Sequence, residues 1–304
     1  MNYPLIVITG PTAVGKTKLA VAVAAKLKGE IINADSRQVY KQMDIGTGKD
    51  LEDYTFEGHA IPYHLIDIHE AGYQYNIKEY QQDFHAVHNS LQEKNISTIL
   101  CGGSGLYIES ALEGNPFAFV PINQQLRDAL EDESKSKLMG RLSDVIREQL
   151  HITSLTTKKR LVRAVEISEY VRDHPEQKAK GERLNADIFV LTLDRAKVLE
   201  RIKTRLKHRL ENGMIDEVRG LLNQGLTPEQ LLYYGLEYRW ITMHVIGEMT
   251  YDEMFDRLNI SIRQFAKRQM TWFRRMEKRG YQLNWLDGEK SIEELSNQIV
   301  SRYQ

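Results

Sequence analysis

The chain has 304 residues, 41% apolar and 27% charged, which supports a packed core without disulfide or metal staples and argues against disorder. Its one cysteine, Cys101, excludes a disulfide scaffold and a cysteine-based zinc site and fits a reducing, cytoplasmic setting. Formal net charge is −1, no apolar run reaches the roughly eighteen residues of a membrane span, and MNYPLIVITG lacks the pattern of a secretory signal.

The first apolar run, Leu5–Thr9, predicts a strand, and Lys16–Leu27 predicts a helix. Between them stands Gly10-Pro11-Thr12-Ala13-Val14-Gly15-Lys16-Thr17, which matches G-x-x-x-x-G-K-[ST] in the strand-to-helix setting that the motif requires. Loop N–H groups and the helix N-terminus make a diphosphate site, with Lys16 as a mobile cation and the Thr17 hydroxyl as a Mg2+ ligand. The motif identifies a diphosphate and does not by itself identify ATP.

Further two-sided apolar runs at Glu30–Ala34, His64–Ile68, Ser97–Cys101 and Ile188–Leu193 predict strands covered on both faces. A helix over Ile77–Lys94, opened by a capping box of Asn76 and Glu79, separates the third from the fourth. Alternating strands and helices give an α/β fold with a parallel sheet of the P-loop NTPase-like kind, flanked by helices. Loops leaving carboxyl ends of strands carry Asp35-Ser36-Arg37-Gln38-Val39-Tyr40 and Gly102-Gly103-Ser104-Gly105, and Asp67 lies near the end of the third strand. A carboxylate there serves as Mg2+ ligand or general base, or, for Asp35, only caps the next turn. Cys101 reads as a small buried hydrophobe, and no histidine spacing suggests a metal site.

After Gly114 the strand signal stops, and residues 116–185 read as a charged helical insertion between a first core segment (1–115) and a second (186–304). From Arg195 the chain is mostly helical, with helix starts at Thr227-Pro228 and Thr250, a short strand over Gln282–Leu286, and a last helix opened by Ser291. Windows 158–172, 195–209 and 263–279 hold 19 of the 41 basic residues and together carry +15, leaving −16 on the other 257 positions. One such window is an ordinary solvated helix face, whereas three point to a polyanion, since neutralising phosphates releases counterions. On a helical wheel, Arg263, Lys267, Arg268, Arg274, Arg275, Lys278 and Arg279 fall within an arc of about 160°. Phe265, Ala266, Met270, Trp272, Phe273 and Met276 fill the opposite arc as core, with Gln269 and Glu277 as misfits.

Small-molecule kinases also use a P-loop, but a broad basic helical surface suits something larger than a metabolite. An enzyme joining a small diphosphate to a nucleic acid needs both features.

GPTAVGKT, DSRQVY, MDIGTGKD, PYHLID, GGSGLY, KKRLVRAVEI and RQFAKRQMTWFR, in this order over residues 5–287, resemble the tRNA dimethylallyltransferase (tRNA isopentenyltransferase) family of bacterial type. The resemblance implies transfer of a dimethylallyl group from dimethylallyl diphosphate to N6 of adenosine 37 of tRNA, next to the anticodon. Free AMP or ADP as acceptor is the alternative within the same chemistry. It further implies that Asp35 is the base, that Lys16, Thr17 with Mg2+, Ser104 and Arg205 act on the diphosphate and reacting groups, and that the P-loop (10–17) holds the prenyl diphosphate. Positions implied to contact tRNA are Asp35, Ser36, Arg37, Gln38, Ser104, Arg127, Lys159, Arg160, Leu161, Val162 and Arg163, to which the basic stripe adds Arg263, Lys267, Arg268 and Arg274. The expected partners are tRNA and dimethylallyl diphosphate, with Mg2+ as cofactor, no zinc, no membrane and a monomeric chain. The sequence departs from the family in GTGKD for GTAKP, in YYGLEYR around Gly235, in Ser104 for threonine and in Arg209 for methionine.

Overall fold

A computed structural model describes residues 4–113, 117, 120–149, 157–175 and 183–303. They form two compact units, Met1–Leu112 with Leu184–Gln304, and Glu113–Arg183. The strands are β1 (Leu5–Thr9), β2 (Glu30–Asn33), β3 (Thr55–Phe56), β4 (His59–Ala60), β5 (Tyr63–His64), β6 (Thr98–Cys101), β7 (Ala186–Thr192) and β8 (Leu283–Asp287). The first three helices are α1 (Lys16–Leu27), α2 (Ile77–Glu93) and α3 (Gly105–Glu113), followed by α4 (Gln124–Ala129), α5 (Lys135–Gly140), α6 (Asp144–Gln149) and α7 (Lys158–Asp173). The last six are α8 (Arg195–Glu211), α9 (Met214–Asn223), α10 (Pro228–Tyr233), α11 (Leu236–Val245), α12 (Tyr251–Lys278) and α13 (Ile292–Val300).

In the first unit β5, β2, β6, β1, β7 and β8 lie side by side in that order, and every pairing among them is parallel. Each residue of β1 and β6 is buried, as strands covered on both faces must be. The fold is α/β, with a parallel sheet flanked by helices. Sheet order matters for the site: β6 returns between β1 and β2, so the loops after β1, β6 and β2 leave neighbouring strand ends. The Ala34 N–H donates to the Cys101 carbonyl at 2.7 Å, and the Thr9 hydroxyl to the Gly102 carbonyl at 2.7 Å, fixing the three exits against one another.

Local signals account for the helix starts. Asn76–Glu79, Thr227–Gln230, Thr250–Glu253 and Ser291–Glu294 each form a reciprocal capping box. The strand expected over His64–Ile68 is a correction, because β5 stops at His64. Leu65 and Asp67 take φ of 61° and 54°, which ends an extended run. The chain turns there so that the N–H groups of Asp67 and Ile68 reach the carbonyls of Gln38 at 3.1 Å and Val39 at 2.9 Å. Asp67 then pairs with Lys49 rather than facing a ligand.

The second unit has its own small apolar clusters, one of Leu130, Leu138, Leu142, Leu161, Ala164 and Val165, another of Phe117, Val120, Ile146 and Ile167. Between their helices lies Glu166, whose side chain is 1% exposed and accepts from Arg127 at 2.7 and 2.8 Å, Arg163 at 3.0 Å and the Asn123 N–H at 2.9 Å.

Lys49 is fully buried and donates to the Tyr40 carbonyl at 2.6 Å, to Asp44 at 2.5 Å and to Asp67. Removing it leaves a buried carbonyl and a half-buried carboxylate without a donor. Lys49→Met should therefore lower unfolding free energy by about 3 kcal/mol. Urea denaturation checks this, with Lys41→Met, which loses only an exposed pair to Glu70, as a near-neutral control.

Candidate active site

The P-loop turns at Ala13 and Gly15, with φ of 67° and 97°, and opens α1 at Lys16. Lys16 is partly buried, and its Nζ donates to the Pro11 carbonyl at 2.8 Å. Burial pulls its pKa down to about 8, against an opposing pull from Asp35. Arg205, on α8, donates to the Thr12 hydroxyl at 2.5 Å. Desolvation and the neighbouring Arg209 bring its pKa down to about 10. Among the described residues neither Lys16 nor Arg205 has a carboxylate at ion-pair distance. Two desolvated cations beside loop N–H groups are a receptor for an anion.

Asp35 follows β2 and lines the same cavity as Thr12, Lys16, Thr17 and Arg205. Its Oδ1 accepts the Arg37 N–H at 2.9 Å, and its own N–H donates to Asn33 Oδ1 at 3.0 Å. Capping the turn is thus part of what Asp35 does. Burial nonetheless raises its pKa, and the hydrogen bond from Arg37 and the charge of Lys16 only partly offset that. A carboxylate displaced upward that lines a cavity is suited to accept a proton. Gln38 lines the cavity too and donates to the Gly48 carbonyl at 2.9 Å. Arg37 lies over the exposed ring of Tyr233, 5.2 Å from its centroid.

For a divalent cation the cavity offers hard oxygen donors: the Thr17 hydroxyl and the carboxylates of Asp35, Asp50 and Asp53. No group of three or more His, Cys, Asp or Glu among the described residues forms a cage. That combination fits Mg2+ held by one or two protein oxygens with substrate phosphates and water supplying the rest. Cys101 lines the wall, but burial pushes its thiol up to about 12, so it stays protonated.

Other expected site residues lie elsewhere. Gly10, Pro11 and Val14 shape the P-loop from behind, Val14 as core. Ser104 stands at the start of α3, its carbonyl accepting from Tyr107 and Ile108. Leu161 is 1% exposed within the second unit's core, so its side chain meets no RNA, and Val162 packs partly against that core. Arg127 and Arg163 spend their guanidinium groups on Glu166 and, for Arg163, the Val120 carbonyl at 2.7 Å. Lys159 and Arg160 are exposed. On α12, Arg263, Lys267, Arg268, Arg274 and Lys278 are exposed, whereas Arg275 and Arg279 pair with Glu109 at 3.6 and 2.7 Å, which narrows the stripe.

Sequence reasoning missed two residues of α12. Gln269, a misfit on the wheel, is 6% exposed and clamps two loops: its Oε1 accepts the Thr12 N–H at 2.9 Å and its Nε2 donates to the Gly103 carbonyl at 2.8 Å. A Cβ on Gly103 would lie 2.3 Å from that Nε2, so the glycine is what lets the amide in. Phe265, assigned to the core, is 37% exposed and lines the cavity one turn away. A polar residue in the middle of an apolar face was the available signal for Gln269. Gln269→Leu should cost about 2–3 kcal/mol of stability, because the Thr12 N–H and Gly103 carbonyl are left unpaired; thermal denaturation measures it.

The family profile described as IPP transferase matches residues 38–276. A protein named tRNA dimethylallyltransferase 2 from Bacteroides fragilis is 51% identical over 302 residues, covering 99% of this chain and 98% of that one. One of the same name from Phocaeicola vulgatus is 48% identical over 300 residues, with 99% and 97% covered. The crystal structure of the full-length tRNA isopentenylpyrophosphate transferase from Bacillus halodurans superposes with a TM-score of 0.71 at 29% identity, covering 98% of this chain and 96% of that one. With cavity, P-loop and sheet order on the same footing, this chain belongs to the IPP transferase family.

Proposed function

We propose that the protein transfers the dimethylallyl group of dimethylallyl diphosphate to N6 of adenosine 37 in tRNA, giving N6-isopentenyladenosine and diphosphate. The observation that carries this reading is a single cavity in which the Asp35 carboxylate faces a diphosphate cradle built from Lys16, Thr17 and Arg205. The relatives bearing the name tRNA dimethylallyltransferase support it.

The chemistry follows from the parts. The adenine N6 amine attacks C1 of the prenyl group, the C1–O bond breaks, and the N6 proton passes to Asp35. An aromatic amine is a weak nucleophile, so stabilising the departing diphosphate dominates the barrier. Lys16, Arg205 and the P-loop N–H groups take that role. Mg2+ held through Thr17 would supply further charge neutralisation when bound. Phe265 gives the isoprenoid or the adenine ring an apolar wall. The target base must be splayed from its loop to reach this depth. Gln38, which lines the cavity, and its chain neighbours Ser36 and Arg37 are the residues we assign to that base, and Lys159, Arg160, Arg263, Lys267, Arg268 and Arg274 are exposed cations for RNA phosphates. Such an enzyme works on tRNA in the cytoplasm. Among the described residues no helix is long and apolar enough to cross a membrane.

Incubation with labelled dimethylallyl diphosphate, Mg2+ and either unmodified tRNA or AMP tests the reading: label should enter tRNA and not AMP. Asp35→Asn should slow transfer by about a hundredfold or more while leaving stability unchanged or raised. The sign follows from the raised pKa: the folded state binds the proton more tightly than the unfolded chain, so the ionised carboxylate costs stability at neutral pH. Normal turnover by a folded Asp35→Asn protein would refute the base assignment. Lys16, displaced to about 8, loses its charge as pH rises through that value. Affinity for dimethylallyl diphosphate should therefore fall above pH 8, a dependence that Lys16→Met removes while binding weakly at every pH.

A further inference from the structure

Arg209 stands one turn beyond Arg205 on α8, and its Nη2 donates to Asp50 at 2.7 and 3.0 Å. This pair is a partition. Asp50, Arg205 and Arg209 line both the inner cavity, with Lys16 and Thr17, and an outer cavity bounded by His208 and Asn212. The Arg209 side chain is only 12% exposed, whereas that of Asp50 is 42% exposed, so the arginine has given up more water than its partner. Gly48, at φ +68°, makes room: a Cβ there would lie 2.5 Å from Arg209 Nη2.

The loop that carries Asp50 has anchors besides this pair. The Glu217 carboxylate accepts the N–H groups of Asp44 and Ile45 at 2.7 Å each and of Gly46 at 3.0 Å. Buried Lys49 ties the same loop to Tyr40 and Asp67. What the pair does is neutralise a second guanidinium beside Arg205, which has no carboxylate of its own among the described residues. A diphosphate seated on Lys16 and Arg205 brings more negative charge than one half-exposed carboxylate, with oxygens spaced for a guanidinium fork.

We propose that Arg209 is an exchangeable third cation for the diphosphate: it leaves Asp50 for diphosphate oxygens when the prenyl donor enters, opening the partition between the two cavities, and returns to Asp50 when inorganic diphosphate departs. Resting on the diphosphate site of the reading above, this adds a diphosphate-binding residue and a route for the leaving group. In this scheme Asp50 is a competitor of the ligand, and that fixes opposite signs for the two single substitutions.

Calorimetric titration with inorganic diphosphate, and separately with dimethylallyl diphosphate, in EDTA-containing buffer tests it. Arg209→Met should weaken inorganic diphosphate about tenfold, the size of one lost charge-assisted hydrogen bond. Asp50→Asn should tighten it severalfold, the double variant should follow Arg209→Met, and Arg209→Lys, which keeps the charge, should bind within a few-fold of wild type. Thermal denaturation of each unliganded protein establishes folding. If Asp50→Asn weakens binding as Arg209→Met does, or Arg209→Met leaves it unchanged, the pair only supports the loop and the exchange is wrong. If wild type takes inorganic diphosphate with these signs but not dimethylallyl diphosphate, the exchange stands and the prenyl-donor reading falls.

Discussion

Positive charge kept out of water at the carboxyl ends of β1, β6 and β2 is the constraint around which the first unit is organised. Lys16 and Arg205 are both partly buried and desolvated, and both bond to neutral oxygens, the Pro11 carbonyl and the Thr12 hydroxyl. Burying a cation with no counter-charge is costly, and the cost is recovered when an anion arrives. The elements that hold the cradle in shape must then do so without supplying that anion themselves. They do: Thr9, Asn33 and Gln269 are neutral clamps, each closing hydrogen bonds between loops. The acidic anchor Glu217 is used up on backbone N–H groups of the 44–46 segment and on the Tyr238 hydroxyl.

Placing a carboxylate in the same cavity creates a tension that the cations moderate. Asp35 is already displaced upward by burial, and Lys16 opposes that displacement. On the proposed reading a bound diphosphate would add negative charge nearby and push the carboxyl further up. The same charge threatens to protonate it before reaction. On the same reading Lys16, whose charge already draws the carboxyl down, would oppose that push while the leaving group is bound, coupling diphosphate binding to base strength. A base on an uncharged scaffold would lack that coupling.

Features that depend on contiguous residues were legible in the sequence. The strand, P-loop and helix from Leu5 to Leu27 appear with the expected bounds, because a turn of fixed glycine spacing leaves the chain little choice. Capping boxes were readable for the same reason. Asp35 was found because strand ends of a parallel sheet converge, whatever the loops contain. Gln269 was not, since its partner Thr12 lies 257 residues away and a lone amide on an apolar face looks like a flaw. The shortness of β5 was hidden because its end is set by left-handed Leu65 and Asp67, residue types that do not announce such a conformation. That Arg127 and Arg163 pair with Glu166, buried between them, was not legible, since the carboxylate sits on a turn of helix with no signal of its own. The departures at Asp50 and Arg209, isolated oddities along the chain, turn out to be partners.

Helix α12 shows why charge total says so little here. It runs unbroken for 28 residues, about 42 Å at 1.5 Å per residue, with Ile262, Ala266, Gln269, Phe273 and Met276 as its buried line. Phe265 and Gln269 sit at or beside that line where it passes the cavity, and Arg263, Lys267 and Arg268 leave the same turns on the solvent side. One rigid element therefore carries both the cavity wall and the exposed cations. A polyanion drawn to those cations is held in fixed register with the cavity, without any loop having to find its place. Outside the three basic windows the chain carries −16, so RNA is drawn to those windows and repelled from the acidic remainder. The near-zero net charge is then no argument against a nucleic-acid substrate, because repulsion elsewhere sharpens where on the surface it can bind.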